Sequence, residues 1–600
     1  MKQFFGAFFG SIVGIVIATI LTVIIIIGAI KTSFSSATDV DKEISSKIKP
    51  NSVLHLVLNG PIMDREIENP FNEFKKFGNY DEEDEGQGLN VLENKLLAAK
   101  TDANIKGIYL EIKNAGGGFA NITELRNMLQ DFKKSGKFIY CYAEYFGQKE
   151  YYLASVANKV FLNPQGQIEF KGLGMSLMFF KNAFQKLGIE PQVFRHGKFK
   201  SAIEPLILDK MSEANRLQSS VFLKSIWNNL LTGISSDRKL SAEELTKLAD
   251  NLEIQSPETA VGTLIDATAF EDEVLAELKK KSGAGEKEKL NLVKFSKYKT
   301  TAKTNSKIND KKIAVIYAEG SISSGQGDDE EIGSARIAKT IKDARSDEKI
   351  KAIVLRVNSP GGSALASDVI WREITLAKKV KPVVVSMGNL AASGGYYISC
   401  AADRIFAQPN TITGSIGVFG FLPNMKKCFE DKLGITIDTI GTNKYSTVGT
   451  PLMPVREKER EYIQKSVEKV YDTFISRVAE GRKMNKGDVD SIGQGRVWSG
   501  SDALRIKLVD ELGGLKDAIN YAAKKVNLSD YKIVELPIPK NPFIEFLGKA
   551  ERDAETKILI RHGAQNLHGT FTYLKQLQNI FKLSGLKGIQ ARLPFEIIIE

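Results

Sequence analysis

Chemistry in this chain begins at Ser393. It stands in the run Val383-Val-Val-Ser-Met-Gly-Asn-Leu-Ala-Ala-Ser-Gly-Gly-Tyr-Tyr-Ile-Ser-Cys400. Val383 to Met387 reads as a buried strand, Gly388 and Asn389 as a turn, and Ala391 onward as a helix whose first turn carries Ser393, Gly394 and Gly395. Free backbone N–H groups and the positive end of a helix dipole suit a hydroxyl that becomes an alkoxide and then faces an oxyanion. Ala-Ser-Gly-Gly after a strand also serves as a plain packing turn. A second segment favours the catalytic reading: Ala352-Ile-Val-Leu-Arg-Val-Asn-Ser-Pro-Gly-Gly-Ser363 is another apolar strand running into glycines. If the two strands lie parallel, the N–H groups of Gly362 and Gly394 flank one carbonyl oxygen beside Ser393, which is an oxyanion hole.

Such a serine needs a base. The chain has four histidines, His55, His196, His562 and His568. His196 is the best placed of them to approach Ser393, but the set supports a Ser-His-Asp triad poorly. An internal repeat points elsewhere. Ile105-Lys-Gly-Ile-Tyr-Leu110 answers to Ile350-Lys-Ala-Ile-Val-Leu355 at an offset of 245, and Gly116-Gly117 falls on Gly361-Gly362 at the same offset. The chain is a tandem duplication. At that offset Ser393 corresponds to Gln148, and Gly394 and Gly395 to Lys149 and Glu150, so the first copy has no nucleophile. Further on the offset becomes 246, and Lys200 in Gly197-Lys-Phe-Lys-Ser-Ala-Ile-Glu-Pro205 falls on Ser446. One copy offers a serine without a lysine and the other a lysine without a serine. A lysine acts as base only when neutral, which requires burial. Lys198 competes with Lys200, because two residues apart on an extended segment point the same way.

At these residues the chain resembles signal peptide peptidase A, in its long tandem-domain bacterial form. The resemblance rests on Asn358-Ser-Pro-Gly-Gly-Ser363, Ala391-Ala-Ser-Gly-Gly-Tyr396 and Thr413-Gly-Ser-Ile-Gly417, and covers roughly Val53 to Val526. It implies an α/β fold of two ClpP/crotonase-like domains, and a Ser/Lys dyad of Ser393 and Lys200, the latter in the matching Lys-Ser-Ala-Ile-Glu-Pro. It also implies an oxyanion hole at Gly362 and Gly394. Ser415 matches the family position that hydrogen-bonds the lysine; by itself it reads equally as a turn serine capping the next helix. The implied substrates are remnant signal peptides and other extended apolar peptides. The implied assembly is a homo-oligomer, a homotetramer, on the outer, periplasmic face of the bacterial inner membrane.

Six hundred residues exceed one core. Phe4 to Ile30 is an uncharged apolar run of membrane-spanning length between Lys2 and Lys31. The expected layout is an anchor over 1–31, a stalk over 32–50, a first domain over 51–278 and a linker over 279–311. A second domain over 312–536 and an extension over 537–600 follow. The net charge of +11 is dispersed and no aromatic-interleaved basic groove occurs, which argues against a nucleic-acid partner. Cys141, Cys400 and Cys428 match neither a disulfide framework nor a zinc motif and read as small buried residues. The dyad needs no metal or organic cofactor. Two other classes share the glycine turns: an inactive membrane scaffold, and a crotonase-type acyl-CoA enzyme, for which acid/base carboxylates and a nucleotide pocket are missing.

Overall fold

The computed structural model describes residues 48–66, 86–285, 287–298, 310–328, 330–539 and 589–592. The expected anchor lies outside these residues. Among the described residues, no helix is long and apolar enough to cross a membrane.

Short β-branched runs bounded by glycine form buried parallel strands in both copies, since both faces of such a strand meet apolar side chains. In the first copy β1 (Ser52–Met63), β2 (Ile105–Gly116), β3 (Phe138–Phe146) and β4 (Lys159–Ile168) are parallel neighbours in that order. Leu292–Lys294 adds to the outer side of β1, so chain expected as linker is part of the first sheet. Helices α1 (Phe119–Lys133) and α2 (Gln148–Ala154) cover the sheet. Beyond β5 (Glu190–His196) comes α3 (Glu213–Arg238), with Ser212 capping its first turn.

The second copy repeats the plan with β6 (Lys312–Glu319), β7 (Ile350–Ser359), β8 (Gly361–Ser363), β9 (Val383–Ala392), β10 (Ile412–Gly414), β11 (Val418–Asn424) and β12 (Lys532–Leu536). In its eight-stranded sheet β10-β9-β7-β6-β12 are parallel neighbours in that order, and Val497–Ser499 adds antiparallel beyond β10. Helix α4 (Gly394–Ser399) follows β9, and α5 (Glu457–Arg482) comes after β11. One three-residue strand of the tail, β13 (Gln590–Arg592), completes the set.

Gly388 and Asn389 are not a turn. They lie within β9 at a slip of register, where Val357 pairs with Met387 but Ser359 pairs with Ala391. The extra residues bulge towards the first copy, where Asn389 Oδ1 accepts from Asn121 N at 2.9 Å. Cys141 and Cys400 are buried as expected, whereas Cys428 is half-exposed.

A third sheet joins the copies. It runs Glu331–Gly333, Ser321–Ser323, β8, β13, β11, β5, so the first copy supplies one edge and the second copy most of the rest. β5 and β11 pair antiparallel from His196–Val418 to Glu190–Asn424. That pairing carries the chain after β5, Lys200 included, onto the serine-bearing end of the second copy.

Candidate active site

Ser393 directly follows β9 and stands at the N-cap of α4, with φ 55° and ψ −113°. A serine with positive φ is strained by about 1–3 kcal/mol, and a fold holds it there only when its surroundings over-determine it. Here the Ser393 N–H donates to the Gly414 carbonyl at 2.8 Å, and the Ser393 carbonyl accepts from Tyr397 N at 2.8 Å. Those two bonds leave the side chain pointing into the seam between copies. The helix begins after the serine and has six residues, so the dipole invoked above is short. Pinning by strain and hydrogen bonds positions the hydroxyl instead.

Across the seam Lys200 Nζ lies 2.9 Å from Ser393 Oγ and 3.0 Å from Ser415 Oγ, and donates to the Ser415 carbonyl at 3.2 Å. Lys200 is 1% exposed, and burial holds its amine down to about 7, far below the ordinary lysine range. Lys198 does not point the same way. Gly197, at φ 105°, opens a turn that breaks the two-residue alternation; Lys198 faces solvent, its Nζ over the Phe199 ring at 5.8 Å. Ser415 is followed by β11 rather than a helix, so it caps nothing; its φ of 50° turns the hydroxyl to the amine. His196 stacks on Tyr471 with ring centroids 4.0 Å apart, and its backbone pairs with Val418.

The lysine arrives through contacts that the sequence reading did not single out. A Cβ on Gly495 would lie 2.6 Å from Lys200 Cα, so the loop can pass only over a bare glycine, which itself has φ 83°. Phe199 N donates to Gln494 O at 2.9 Å, and Gln218 Nε2 donates to Phe199 O at 3.0 Å. Glu204, of the Lys-Ser-Ala-Ile-Glu-Pro run, is buried and accepts from Ser212 N, Ser212 Oγ and Asn215 Nδ2 at 2.6 to 3.1 Å. Its carboxylate ties the lysine loop to the start of α3. Glycines quoted in a sequence as a run, such as Gly495 in Gly495-Arg-Val-Trp-Ser-Gly500, do not announce which of them meets a partner from the other copy.

Gly361, Gly362 and Gly394 form one wall. A Cβ on Gly361 would stand 2.6 Å from Gly394 N, and one on Gly362 would stand 2.0 Å from Ile322 O. Gly362 sits in β8 opposite Ala591 of the tail strand. The first copy closes the equivalent place. Gln148 Oε1 accepts from Lys171 N at 3.0 Å and Gly172 N at 2.7 Å, and Gln148 Nε2 donates to Gly172 O at 2.7 Å. Gly172 answers to Gly417 at the 245 offset, and Gly417 O is the carbonyl 3.4 Å from Ser393 Oγ. A backbone staple stands where the second copy has Ser393.

The arrangement is a hydroxyl, a desolvated amine and a glycine wall at the end of a parallel sheet, with the chemistry of acyl transfer. The family model described as peptidase family S49 matches residues 131–285 and again 375–529. The chain belongs to peptidase family S49. Both S49 matches fall one per copy, and the model for Clp protease matches 304–413, which agrees with two tandem domains of ClpP-like α/β fold. The chain is similar to "Serine protease SPPA, chloroplastic" of Arabidopsis thaliana, at 36% identity over 84% of this chain and 74% of that protein. It is similar to "Protease 4" of Salmonella typhi at 38% identity, over 73% of this chain and 72% of that one. "Protease 4" of Haemophilus influenzae is 35% identical over 72% of this chain and 71% of its own length. As an S49 member this chain is a serine peptidase.

An amine at about 7 sets the direction of the pH dependence. Below that value Lys200 is an ammonium without a lone pair, so if it serves as the base, kcat/KM is expected to fall about tenfold per pH unit, and above it to stay level until another group titrates. A rate profile in a substrate without titrating groups measures this, and the rising limb vanishes if the base is a different group.

Proposed function

We propose that this chain is a membrane-anchored serine endopeptidase that uses a Ser393–Lys200 dyad to degrade remnant signal peptides after their release from preproteins. The observation that carries the reading is the 2.9 Å approach of Lys200 Nζ to Ser393 Oγ, both buried, with the amine held near 7. Neutral Lys200 takes the proton of Ser393 Oγ as the oxygen attacks a peptide carbonyl carbon. The N–H groups of Gly362 and Gly394 hold the oxyanion, and Ser415 orients the amine. Lys200 then protonates the leaving amine, and a water deprotonated by Lys200 hydrolyses the acyl-enzyme. The apolar run Phe4 to Ile30 would hold the chain in the inner membrane with its catalytic part on the periplasmic side, where cleaved signal peptides lie within reach.

A homo-oligomer, a homotetramer by family resemblance, belongs to the same reading. Within the chain, β5 of the first copy pairs with β11 of the second. The counterparts, residues 436–442 and 173–179 at the repeat offsets, form no strand. Ile440 among them is 99% exposed. Two complementary halves left open at opposite ends favour head-to-tail pairing between chains, which closes into a ring when the rotation allows.

The test is a fluorophosphonate probe and a synthetic signal peptide applied to the full chain in detergent. Labelling mapped to Ser393, absent in Ser393→Ala, together with peptide hydrolysis and no turnover of an acyl-CoA thioester, is expected. A folded wild-type chain that neither labels nor cleaves overturns the reading.

A further inference from the structure

A second opening along the seam serves no step of the chemistry above. The helix Leu89–Thr101 and α1, both of the first copy, face the start of the helix Leu515–Lys525 of the second, and between them lies a cavity of about 290 Å³. That is the size of a small-ligand site. Leu96, Leu97, Met128 and Phe132 give it an apolar side, and Glu93 stands one helical turn before Leu96 and Leu97 on the same face. Leu97 is 37% exposed, so apolar surface is left uncovered there.

The carboxylates around the cavity are satisfied with one exception. Asp131 pairs with Lys100 at 2.8 Å and Lys134 at 3.7 Å, Glu124 pairs with Arg356 at 2.9 Å and accepts from Leu515 N at 2.6 Å, and Asp517 accepts from Gly514 N at 2.8 Å. Glu93 Oε1 is buried and accepts no hydrogen bond. Lys516 Nζ comes only to 3.5 Å from it, on a side chain 42% exposed to water. Burial lifts the Glu93 carboxyl to about 7 against the pull of Lys516, with the charges of Glu124 and Asp517 pushing the same way as burial. An unpaired acceptor beside a bare apolar wall calls for a donor that carries a positive charge on a hydrocarbon stem. A metal ion does not fit: among the described residues, no three carboxylate, imidazole or thiol groups gather closely enough to hold one.

We propose that this cavity binds a small aliphatic amine, its ammonium on Glu93 Oε1 and its stem against Leu96, Leu97, Met128 and Phe132. The site shares no residue with the Ser393–Lys200 pair and stands or falls apart from it. Because both copies wall the cavity, the amine binds only the docked chain and strengthens the seam that Lys200 crosses.

Calorimetric titration of the full chain in detergent with butylamine, beside 1-butanol, tests this. Butylamine is expected to saturate one site, to raise Tm with its concentration, and to release about half a proton near pH 7 as Glu93 ionises. The alcohol, with the stem alone, is expected to do none of these. Glu93→Gln, which keeps the shape of the protonated acid, is expected to bind butylamine about tenfold more weakly or worse and to release no proton. Leu97→Trp fills the cavity from its exposed edge and controls for amine taken up by detergent, so it is expected to show no saturable site. A folded wild type without saturable butylamine binding overturns the proposal, as does 1-butanol binding as well as the amine. Binding and proton release by Glu93→Gln at the wild-type level, or undiminished binding by Leu97→Trp, overturn it too.

Discussion

Lys200→Met is expected to lower kcat/KM for peptide hydrolysis by about 10⁴-fold or more, the same as Ser393→Ala, with the double variant no worse than either single one. Lys198→Ala is expected to match wild type. Both expectations follow from where the two amines sit: Lys200 is buried against Ser393, and Lys198 is exposed over the Phe199 ring. Methionine keeps the volume of the lysine stem, so the loss reports the missing base rather than a cavity. A melting curve separates chemistry from fold. The amine titrates at about 7 in the folded chain and near 10.4 once unfolded. Between those values the unfolded chain binds the extra proton, so the lysine's contribution to stability rises with pH and is poorest below about 7. At pH 6, roughly one unit below that titration, wild type carries the cost of a buried ammonium and methionine does not. Lys200→Met should therefore melt no lower than wild type there. Activity surviving in Lys200→Met would rule out Lys200 as the base, and a Tm well below wild type would assign the loss to the fold.

Much of this site was legible because duplication leaves an internal control. Ser393 against Gln148, and Lys200 against Ser446, divide the dyad between copies by simple alignment at offsets of 245 and 246. The folded chain brings those two side chains together. What spacing alone could not separate was Lys198 from Lys200, since the alternation argument assumes extended backbone and Gly197 turns it. The helix dipole carried too much weight for a helix of six residues that starts after the serine. Asn389, read as half of a turn, is a bulge reaching the other copy, and bulges depend on partner strands that local patterns do not name. β13 is three residues long in a mixed apolar and basic tail, too short for any periodicity, and exists only through the strands on either side. The anchor, by contrast, was read from its apolar length alone and lies outside the described residues.

Arg356 shows the same limit at the largest cost in stability. It sits inside an apolar strand, 1% exposed, and its partners are 292 and 232 residues away in the chain. Its Nε and Nη2 donate to Asp64 Oδ1 at 2.9 and 2.6 Å, Nη2 also to Glu124 Oε2 at 2.9 Å, and Nη1 to Ser386 Oγ at 2.7 Å. Asp64 and Glu124 belong to the first copy and Arg356 to the second, so this buried triad fastens the two copies to each other. Arg356→Met leaves two carboxylates buried without a cation, at a cost of about 3–5 kcal/mol. Denaturant titrations measure that loss. The triple variant Arg356→Met, Asp64→Asn, Glu124→Gln should recover much of the loss, because it removes the stranded charges along with their partner. An equal deficit in single and triple variants would mean that packing around the guanidinium, not its charge, holds the copies together. Peptide hydrolysis by Arg356→Met should fall with the docking of the copies, since Lys200 reaches Ser393 only across the seam that this triad closes.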